Sequence, residues 1–414
     1  MRIAIFTLGC KTNQYESELI RESFEKYGDE VIPFKEKADV YIINSCVVTH
    51  KAESETKKAI RNAFRRNPNA KIILTSCYAN LNPSFHAKNL IVYRGERSKL
   101  ADFIYGKEKD ININLNLESI NRFFERTRAI VKIEEGCNNF CTYCIIPLVR
   151  GNKIRSKSPE VVVNEIQTLA KNGFKEIVLT GTEIGKYGED IGTNLALLLS
   201  RIKRIPGIER IRISSIYPTA VNDALIEQIE GKIVPHLHLS LQSGDNTILK
   251  KMNRNYTVEE YMKIIEKLRK KDPLFSITTD IIVGFPGETE EAFLNSMKVI
   301  NSVEFAKVHV FRFSKRPFTP AFFMDETVSE NTKKLRAQRI SEFAKEVAIR
   351  YKKNFIGKTV EVLTEEETNG FFYGFTPRYL RVKFTCKEKN ILHKIMKIKI
   401  SAADSDLLYG NCIE

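Results

Sequence analysis

With 66 Lys and Arg against 51 Asp and Glu, the 414-residue chain carries a formal charge of +15 and a pI near 9.3. That length allows two or three domains with cores of their own, the composition excludes a disordered chain, and the charge favours a polyanionic partner such as nucleic acid over an acidic surface. MRIAIFTLGC has no long apolar leader and no stretch approaches about 18 apolar residues, so a cytoplasmic protein with no membrane partner is expected, whose 8 Cys serve metal binding where they cluster rather than disulfides.

The first hundred residues alternate short β-branched runs with amphipathic stretches: RIAIFTL, a helix from about Asn13 to Tyr27, DVYIIN, a helix from about Ala52 to Arg65, KIILTS and NLIVY. This alternation predicts a parallel α/β sheet. Cys10, Cys46 and Cys77 each stand just past the carboxyl end of one of these strands. In an open parallel sheet those ends share the edge where ligands gather, so three thiols far apart in sequence are candidates for one site.

Residues 107–127 are polar and weakly patterned and read as a linker between a first domain (1–106) and a second (128–354). The second series has the strands RAIVKIEE, EIVLTG, RIRISS, LHLSLQ, SITTDIIVG and KVHVFRF, with helix starts marked by Ser158-Pro159 and the Thr257…Glu260 capping box. Six β/α units in this length fit a partial (β/α)6 TIM-type barrel rather than a closed eight-stranded one. After its first strand comes GCNNFCTYC, in which Cys137, Cys141 and Cys144 supply three thiolates and no fourth. An iron-sulfur cubane held there keeps one iron open to a non-protein ligand; structural zinc, which wants four ligands, fits less well.

A long basic helix, roughly Glu330 to Asn354, precedes a change of pattern. KTVEVLTE, GFFYGFT, YLRVKFT and KIMKIKISA predict a small antiparallel β-barrel over 355–414. Its aromatics Phe371, Phe372, Tyr373, Phe375 and Tyr379 lie among Arg378, Arg381, Lys383 and Lys387, a mixture that suits RNA because rings stack on bases while cations meet phosphates. Cys386 and Cys412, in this module, are read as non-ligands.

Together GCKTNQYESE, INSCVVT, TSCYA, GCNNFCTYCIIPLVRG, LTGTEIGKYG, LSLQSGDNTILKKMNRNYT and TDIIVGFPGETEE resemble, in order and spacing, the methylthiotransferases of the radical S-adenosylmethionine (SAM) superfamily. The resemblance covers essentially the whole chain. It implies an N-terminal methylthiotransferase domain, a radical SAM partial barrel and a C-terminal TRAM domain, with two 4Fe-4S clusters: Cys10, Cys46 and Cys77 on an auxiliary one, and Cys137, Cys141 and Cys144 on the one that binds SAM. It further implies that one SAM supplies the methyl group and a second the 5′-deoxyadenosyl radical, with an external electron donor. The partner implied is the anticodon stem-loop of tRNA, met by a monomer.

Within the family, GCKTNQYESE resembles the branch acting on N6-threonylcarbamoyladenosine, with Asn13, Gln14 and Tyr15 discriminating; the isopentenyladenosine branch is the alternative. A further alternative is a non-catalytic iron-sulfur protein that binds RNA or carries electrons. For SAM the resemblance suggests Tyr143 against the adenine, Thr182 and Glu183 at the amino group, Arg254 at the carboxylate and Asp280 at a ribose hydroxyl. Ser240 and Gln242 face the barrel interior by period two, with His236 and His238 as hydrogen-bonded core residues. Where the family commonly has R-x-G-T-x-A, the chain reads Arg316-Pro317-Phe318-Thr319-Pro320-Ala321, putting Phe where glycine gives easy access to positive φ.

Overall fold

Period-two runs of β-branched residues, each followed by an amphipathic segment, fold into successive parallel strands in the computed structural model, which describes residues 1–107, 114–124 and 126–413. The N-terminal sheet comprises β1 (Arg2–Thr7), β2 (Glu30–Ile32), β3 (Val40–Ser45), β4 (Lys71–Ser76) and β5 (Leu90–Val92), in the order β2-β1-β3-β4-β5. All its pairs are parallel. Helices α1 (Lys11–Glu25), α2 (His50–Arg66), α3 (Cys77–Leu81) and α4 (Leu100–Ile104) connect or cover it. The short strand β2 has no separate signal in the sequence pattern. The order reverses between β1 and β3, and Cys10 and Cys46 flank that switch point, where doubly wound sheets bind ligands.

The second domain contains β6 (Arg128–Lys132), β7 (Glu134–Glu135), β8 (Arg155–Ser156), β9 (Glu176–Thr180), β10 (Arg210–Ile213), β11 (Ser215–Ile216), β12 (His236–Leu239), β13 (Ser276–Val283) and β14 (Lys307–Arg312). Its helices are α5 (Ile146–Arg150), α6 (Pro159–Lys171), α7 (Leu195–Ile202), α8 (Asp223–Gln228), α9 (Asn246–Lys251), α10 (Val258–Lys271), α11 (Glu290–Val303) and α12 (Glu330–Lys353). Two parallel sheets, β10-β9-β6 and β11-β12-β13-β14, form the wall of a partial barrel. The expected helix starts hold: Ser158 accepts from Val161 N, and Thr257 with Glu260 forms the capping box.

The segment expected as a linker is not a free spacer. Leu115, Glu118, Ile120 and Phe123 are buried; Ile120 and Phe123 join the barrel core, and Glu118 meets Lys132 at 2.5 Å. Residues 108–113 and 125 of that stretch lie outside the described residues.

The last module is a closed barrel of β15 (Thr359–Thr368), β16 (Phe371–Phe375), β17 (Arg381–Thr385), β19 (Leu407–Cys412) and β18 (Ile395–Ala403). It has one strand, β19, beyond those predicted, and β17 pairs β19 in parallel. Cys386 and Cys412 stand apart from both trios, as expected of non-ligands, but the structure corrects the expectation of no disulfides, because the two are disulfide-bonded, their Cα atoms 5.0 Å apart. It also divides the expected RNA-facing residues. Phe372 is core, and Arg378 donates to Leu274 O at 3.0 Å and binds Asp272. Phe375 and Tyr379 stack on each other at 4.8 Å under the Arg128 guanidinium, plugging one end of the larger barrel. Arg212 fixes that plug by donating to Pro377 O and Thr376 O. Only Phe371 and Tyr373, with Lys383 and Arg381 over their rings, keep the expected surface arrangement.

Burial of the 114–124 segment predicts that Ile120→Ala costs about 2–4 kcal/mol of unfolding free energy, whereas truncating the exposed Leu117 changes it by less than about 0.5 kcal/mol. Denaturant unfolding of the apoprotein measures both.

Candidate active site

Cys10 ends the turn after β1, Cys46 directly follows β3 and Cys77 opens α3 after β4, so three adjacent strands deliver the first trio of thiols to one edge. Gly9 makes the approach possible: at φ +120° it lies so close that a Cβ there would meet Cys46 Cβ and Asn13 Cγ at 3.2 Å. Burial raises the Cys46 thiol, and burial pushes Cys77 up to about 12, with the neighbouring Cys10 and Cys46 adding to it against the pull of Arg150.

The second trio is held by backbone clamps from the barrel. Cys137 N donates to Gly151 O at 3.0 Å, Thr142 N to Met252 O at 3.0 Å, and Ala321 N to Thr142 O at 2.8 Å. Asn253 Nδ2 holds the carbonyls of Asn139 and Phe140. Burial pushes Cys137 and Cys144 up to about 12 each.

One side chain joins the two trios. Arg150, at the end of α5, spends its five N–H groups on Glu16 (twice), Glu135 at 3.1 Å, Asn13 Oδ1 at 2.8 Å and Cys77 Sγ at 3.2 Å. A second buried guanidinium, Arg254, plays the corresponding part at the other trio. Its Nη1 lies 3.4 Å from Cys141 Sγ, it stacks 4.0 Å over Tyr217, and it donates to Ser240 O at 2.6 Å. Among the described residues no three ligand-type side chains close to metal-ligand spacing. The donor chemistry nevertheless fits a pair of anionic iron-sulfur clusters: soft sulfur in threes, with Cys46, Cys77 and Cys141 buried, Cys137 and Cys144 half-buried and Cys10 exposed, each set with a fixed cation donating to sulfur.

The other sequence-selected residues divide. Glu183 accepts from Asn139 Nδ2 at 2.9 Å, and burial raises its carboxyl, with Arg254 opposing. The Thr182 and Glu183 N–H groups are already taken, both by Glu134 Oε2 at 2.8 Å. Glu134 escaped the sequence reading; it is buried, its Oε1 has no partner among the described residues, and burial raises its carboxyl strongly. Two adjacent acids directly before the Gly136-Cys137 turn were the available signal. Ser240 meets Arg254 through its carbonyl, and Gln242 holds φ +70° while bridging to the strand of Asp280 through its backbone. Tyr143 packs edge-on to Phe285 at 6.4 Å. Asp280 stands 3.2 Å from His238, and His236 and His238 both meet Thr278 Oγ1, the hydrogen-bonded core role expected for them.

Two of the branch-marking residues are structural: Asn13 ties α1 to Leu8 O, Asn44 and Ser45 O, and the buried Tyr15 hydroxyl donates to Glu165 at 2.8 Å. Phe318 takes the positive φ (+67°) that its position demands, and its ring is 71% exposed beside the loop that clamps Thr142.

A family model described as the radical SAM superfamily matches residues 131–300, and one described as the uncharacterized protein family UPF0004 matches residues 2–92. The chain is 44% identical over 407 residues to a threonylcarbamoyladenosine tRNA methylthiotransferase MtaB of Thermotoga maritima, covering 95% of this chain and 93% of the relative. It is 41% identical to the protein of that name in Bacillus subtilis, covering 97% and 94%. It is also 34% identical to a tRNA-2-methylthio-N(6)-dimethylallyladenosine synthase of Thermoanaerobacter pseudethanolicus, covering 99% and 92%. Among solved structures, the radical SAM methyltransferase TsrM of Kitasatospora setae shares the fold with a TM-score of 0.57 at 13% identity, covering 77% of this chain and 74% of that one.

Replacing Arg150 with Met leaves Glu16 and Glu135 buried without their guanidinium and is expected to cost the apoprotein about 3–5 kcal/mol at neutral pH. Burial alone would raise Glu16; Arg150, with Arg97 and Lys132, more than reverses this and holds it below its ordinary 4.5. The unfolded state is common to both proteins, so the gap follows the folded carboxyls: without the guanidinium burial raises Glu16, and the gap is widest above that raised value and narrows as pH falls toward the depressed value of the wild type. Denaturant unfolding from pH 7 to pH 3.5 checks the sign.

Proposed function

The chain belongs to the radical SAM tRNA methylthiotransferases, and from that premise we propose that it inserts a methylthio group at carbon 2 of N6-threonylcarbamoyladenosine at position 37 of tRNA, using two SAM molecules. The observation that carries the two-centre part of this reading is Arg150, which ties Cys77 to the segment bearing Cys137, Cys141 and Cys144. The substrate part rests on the relatives named for threonylcarbamoyladenosine being more similar than the one named for dimethylallyladenosine.

Cys10, Cys46 and Cys77 hold the auxiliary cluster in this reading, and Cys137, Cys141 and Cys144 the SAM-binding one. When bound, these clusters supply the electron for reductive cleavage of SAM and the centre for sulfur transfer. Arg254, beside Cys141 and packed on Tyr217 and Tyr256, is positioned to orient an anionic group of SAM. Glu183, within the same surround as Arg254, and Tyr143, in the loop, complete the walls. Docking of the anticodon stem-loop falls to the face of the small barrel that bears Phe371, Tyr373, Arg381 and Lys383, the rings for bases and the cations for phosphates.

Anaerobic protein is then expected to carry about eight irons, and the Ala variant of Cys137, Cys141 and Cys144 together about four; full retention of iron would overturn the assignment. Removing Cys10, Cys46 or Cys77 is expected to abolish methylthio product while reductive SAM cleavage stays measurable. For the substrate, enzyme with SAM and reductant is offered tRNA pools carrying either threonylcarbamoyladenosine or isopentenyladenosine, and nucleosides are read by mass spectrometry. Product in the first pool is expected; product only in the second refutes the substrate and favours the alternative that the dimethylallyladenosine relative represents.

A further inference from the structure

Helix α2 sets six Lys and Arg against two Glu in 17 residues. Lys51, Lys58, Arg61 and Arg65 follow one another at steps of seven, three and four, so they share a face, with Lys57 on its flank. All five are exposed, whereas Glu53 and Glu55 are half-buried. Lys51, Lys57 and Arg61 have no hydrogen bond or ion pair among the described residues; Lys58 lies 4.0 Å from Glu55, and Arg65 meets the neutral Asn62. Helix α12, by contrast, pairs Arg336 and Arg339 with Glu290 and Arg350 with Glu304. Helix α10 intersperses Lys263, Lys267 and Lys270 with Glu259, Glu260 and Glu266.

The basic helix also starts at the reaction centre. It follows Cys46 and connects β3 to the parallel β4, so it begins at the thiol-bearing edge of the sheet and runs back from it. At 1.5 Å per residue the cations from Lys51 to Arg65 extend over about 21 Å. The first turn of α2 is fixed to the rim of the second trio: Glu53 accepts from Arg316 Nη2 at 2.8 Å, and the loop that Arg316 opens clamps Thr142 through Ala321 N at 2.8 Å. That loop bears the exposed rings of Phe318 and Phe323. Farther along, an open hollow of about 530 Å³ is lined by Lys58, Arg61, Asn62, Phe64 and Arg65. Arg66 Nε holds Lys35 O at 3.2 Å, which brings a further exposed Lys beside the end of the helix.

A row of unneutralised cations that leads away from a reaction centre suits a polyanion whose charge repeats along a line. We infer that the exposed face of α2 binds the phosphate backbone of the double-stranded anticodon stem, with unpaired loop bases at the ring-bearing rim. The inference rests on the tRNA reading above and adds a contact on the N-terminal domain to the one proposed for the small barrel. Phosphate contacts carry no sequence information, so this face orients the stem and leaves the choice of base to the site between the trios.

The test measures, over a range of salt, binding of reconstituted full-length enzyme to an anticodon stem-loop RNA with unmodified adenosine at position 37, so the result does not depend on which substituent is thiolated. Each phosphate contact contributes about 0.9 to the slope of log affinity against log salt, and the triple variant Lys57→Gln, Lys58→Gln, Arg61→Gln is expected to flatten that slope by about 2–3. Arg61→Gln alone is expected to flatten it by about 1 and serves should the triple variant fold poorly. Lys57→Arg with Lys58→Arg is expected to keep it. Removing three charges from α10 instead, as Lys263→Gln, Lys267→Gln, Lys270→Gln, is expected to change it by less than about 1. Iron content and SAM cleavage driven by dithionite stay at the wild-type level throughout. An unchanged slope in the α2 variants, or equal flattening by the α10 variant, overturns the inference and leaves the tRNA reading standing. Normal RNA binding, with SAM cleavage lost only when a protein reductant replaces dithionite, also overturns it and gives the face to an acidic redox partner. Should the wild type bind no stem-loop, both readings fall together.

Discussion

A buried guanidinium with all five of its N–H groups engaged organises this protein. Arg150 stands at the end of the short helix that follows the second Cys trio, yet every one of its partners except Glu135 belongs to the N-terminal domain. A guanidinium withdrawn from water is tolerable only when its charge is matched, and here Glu16 and Glu135 match it while Cys77 takes the remaining edge. Because Glu16 and Asn13 lie on α1, whose first turn carries Cys10, the same cation fixes the distance between the two sulfur sites. Around it the interface is reinforced by Lys132 with Glu16 and Glu118, and by Lys157 with Glu165 and the Tyr15 hydroxyl. A polar interface of this kind specifies one relative orientation more sharply than an apolar one, since any slip strands a buried charge.

The C-terminal module is joined to the larger barrel through a different contact. Its Phe375-to-Tyr379 turn inserts into the open end of the larger barrel, where Arg128, Arg210 and Arg212 meet its carbonyls and rings. The small barrel is thus part of the lumen floor as well as the surface proposed for RNA. Whatever tRNA contacts its outer face is held at a set distance from the lumen, a rigid connection that a flexible tether would not provide.

Near the site several non-glycine residues hold positive φ, Ser76, Gln242 and Asn253 among them, and two of these carry exposed rings. Phe140, between two of the thiols, and Phe318, across from it in the clamping loop, both hold positive φ and both are exposed. Positive φ in a bulky residue costs energy that surrounding contacts must offset, and the bonds to the Asn139 and Phe140 carbonyls, and from Ala321 to Thr142, are those contacts. In the sequence Phe318 reads as a departure from a glycine turn; the structure retains the turn geometry and gains a ring at the rim.

Much of this architecture was legible from the chain alone. Strand and helix order follow from periodicities of two and 3.6, which a segment carries by itself, and the helix starts at Ser158 and Thr257 follow from hydrogen bonds that span three residues. Cys137, Cys141 and Cys144 declare themselves because a loop of eight residues supplies all three, and Cys10, Cys46 and Cys77 because strand ends in a parallel sheet share an edge. Tertiary structure alone decided the rest. The partners of Arg150, the burial of Ile120 and Phe123, the pairing of Cys386 with Cys412 and the plug at Tyr379 all depend on residues from separate elements meeting. A sequence pattern says which face of an element is turned from water, but not what that face will meet. For a charged group the partner is what matters, because the cost or gain of burying it is set almost entirely by the charge placed opposite.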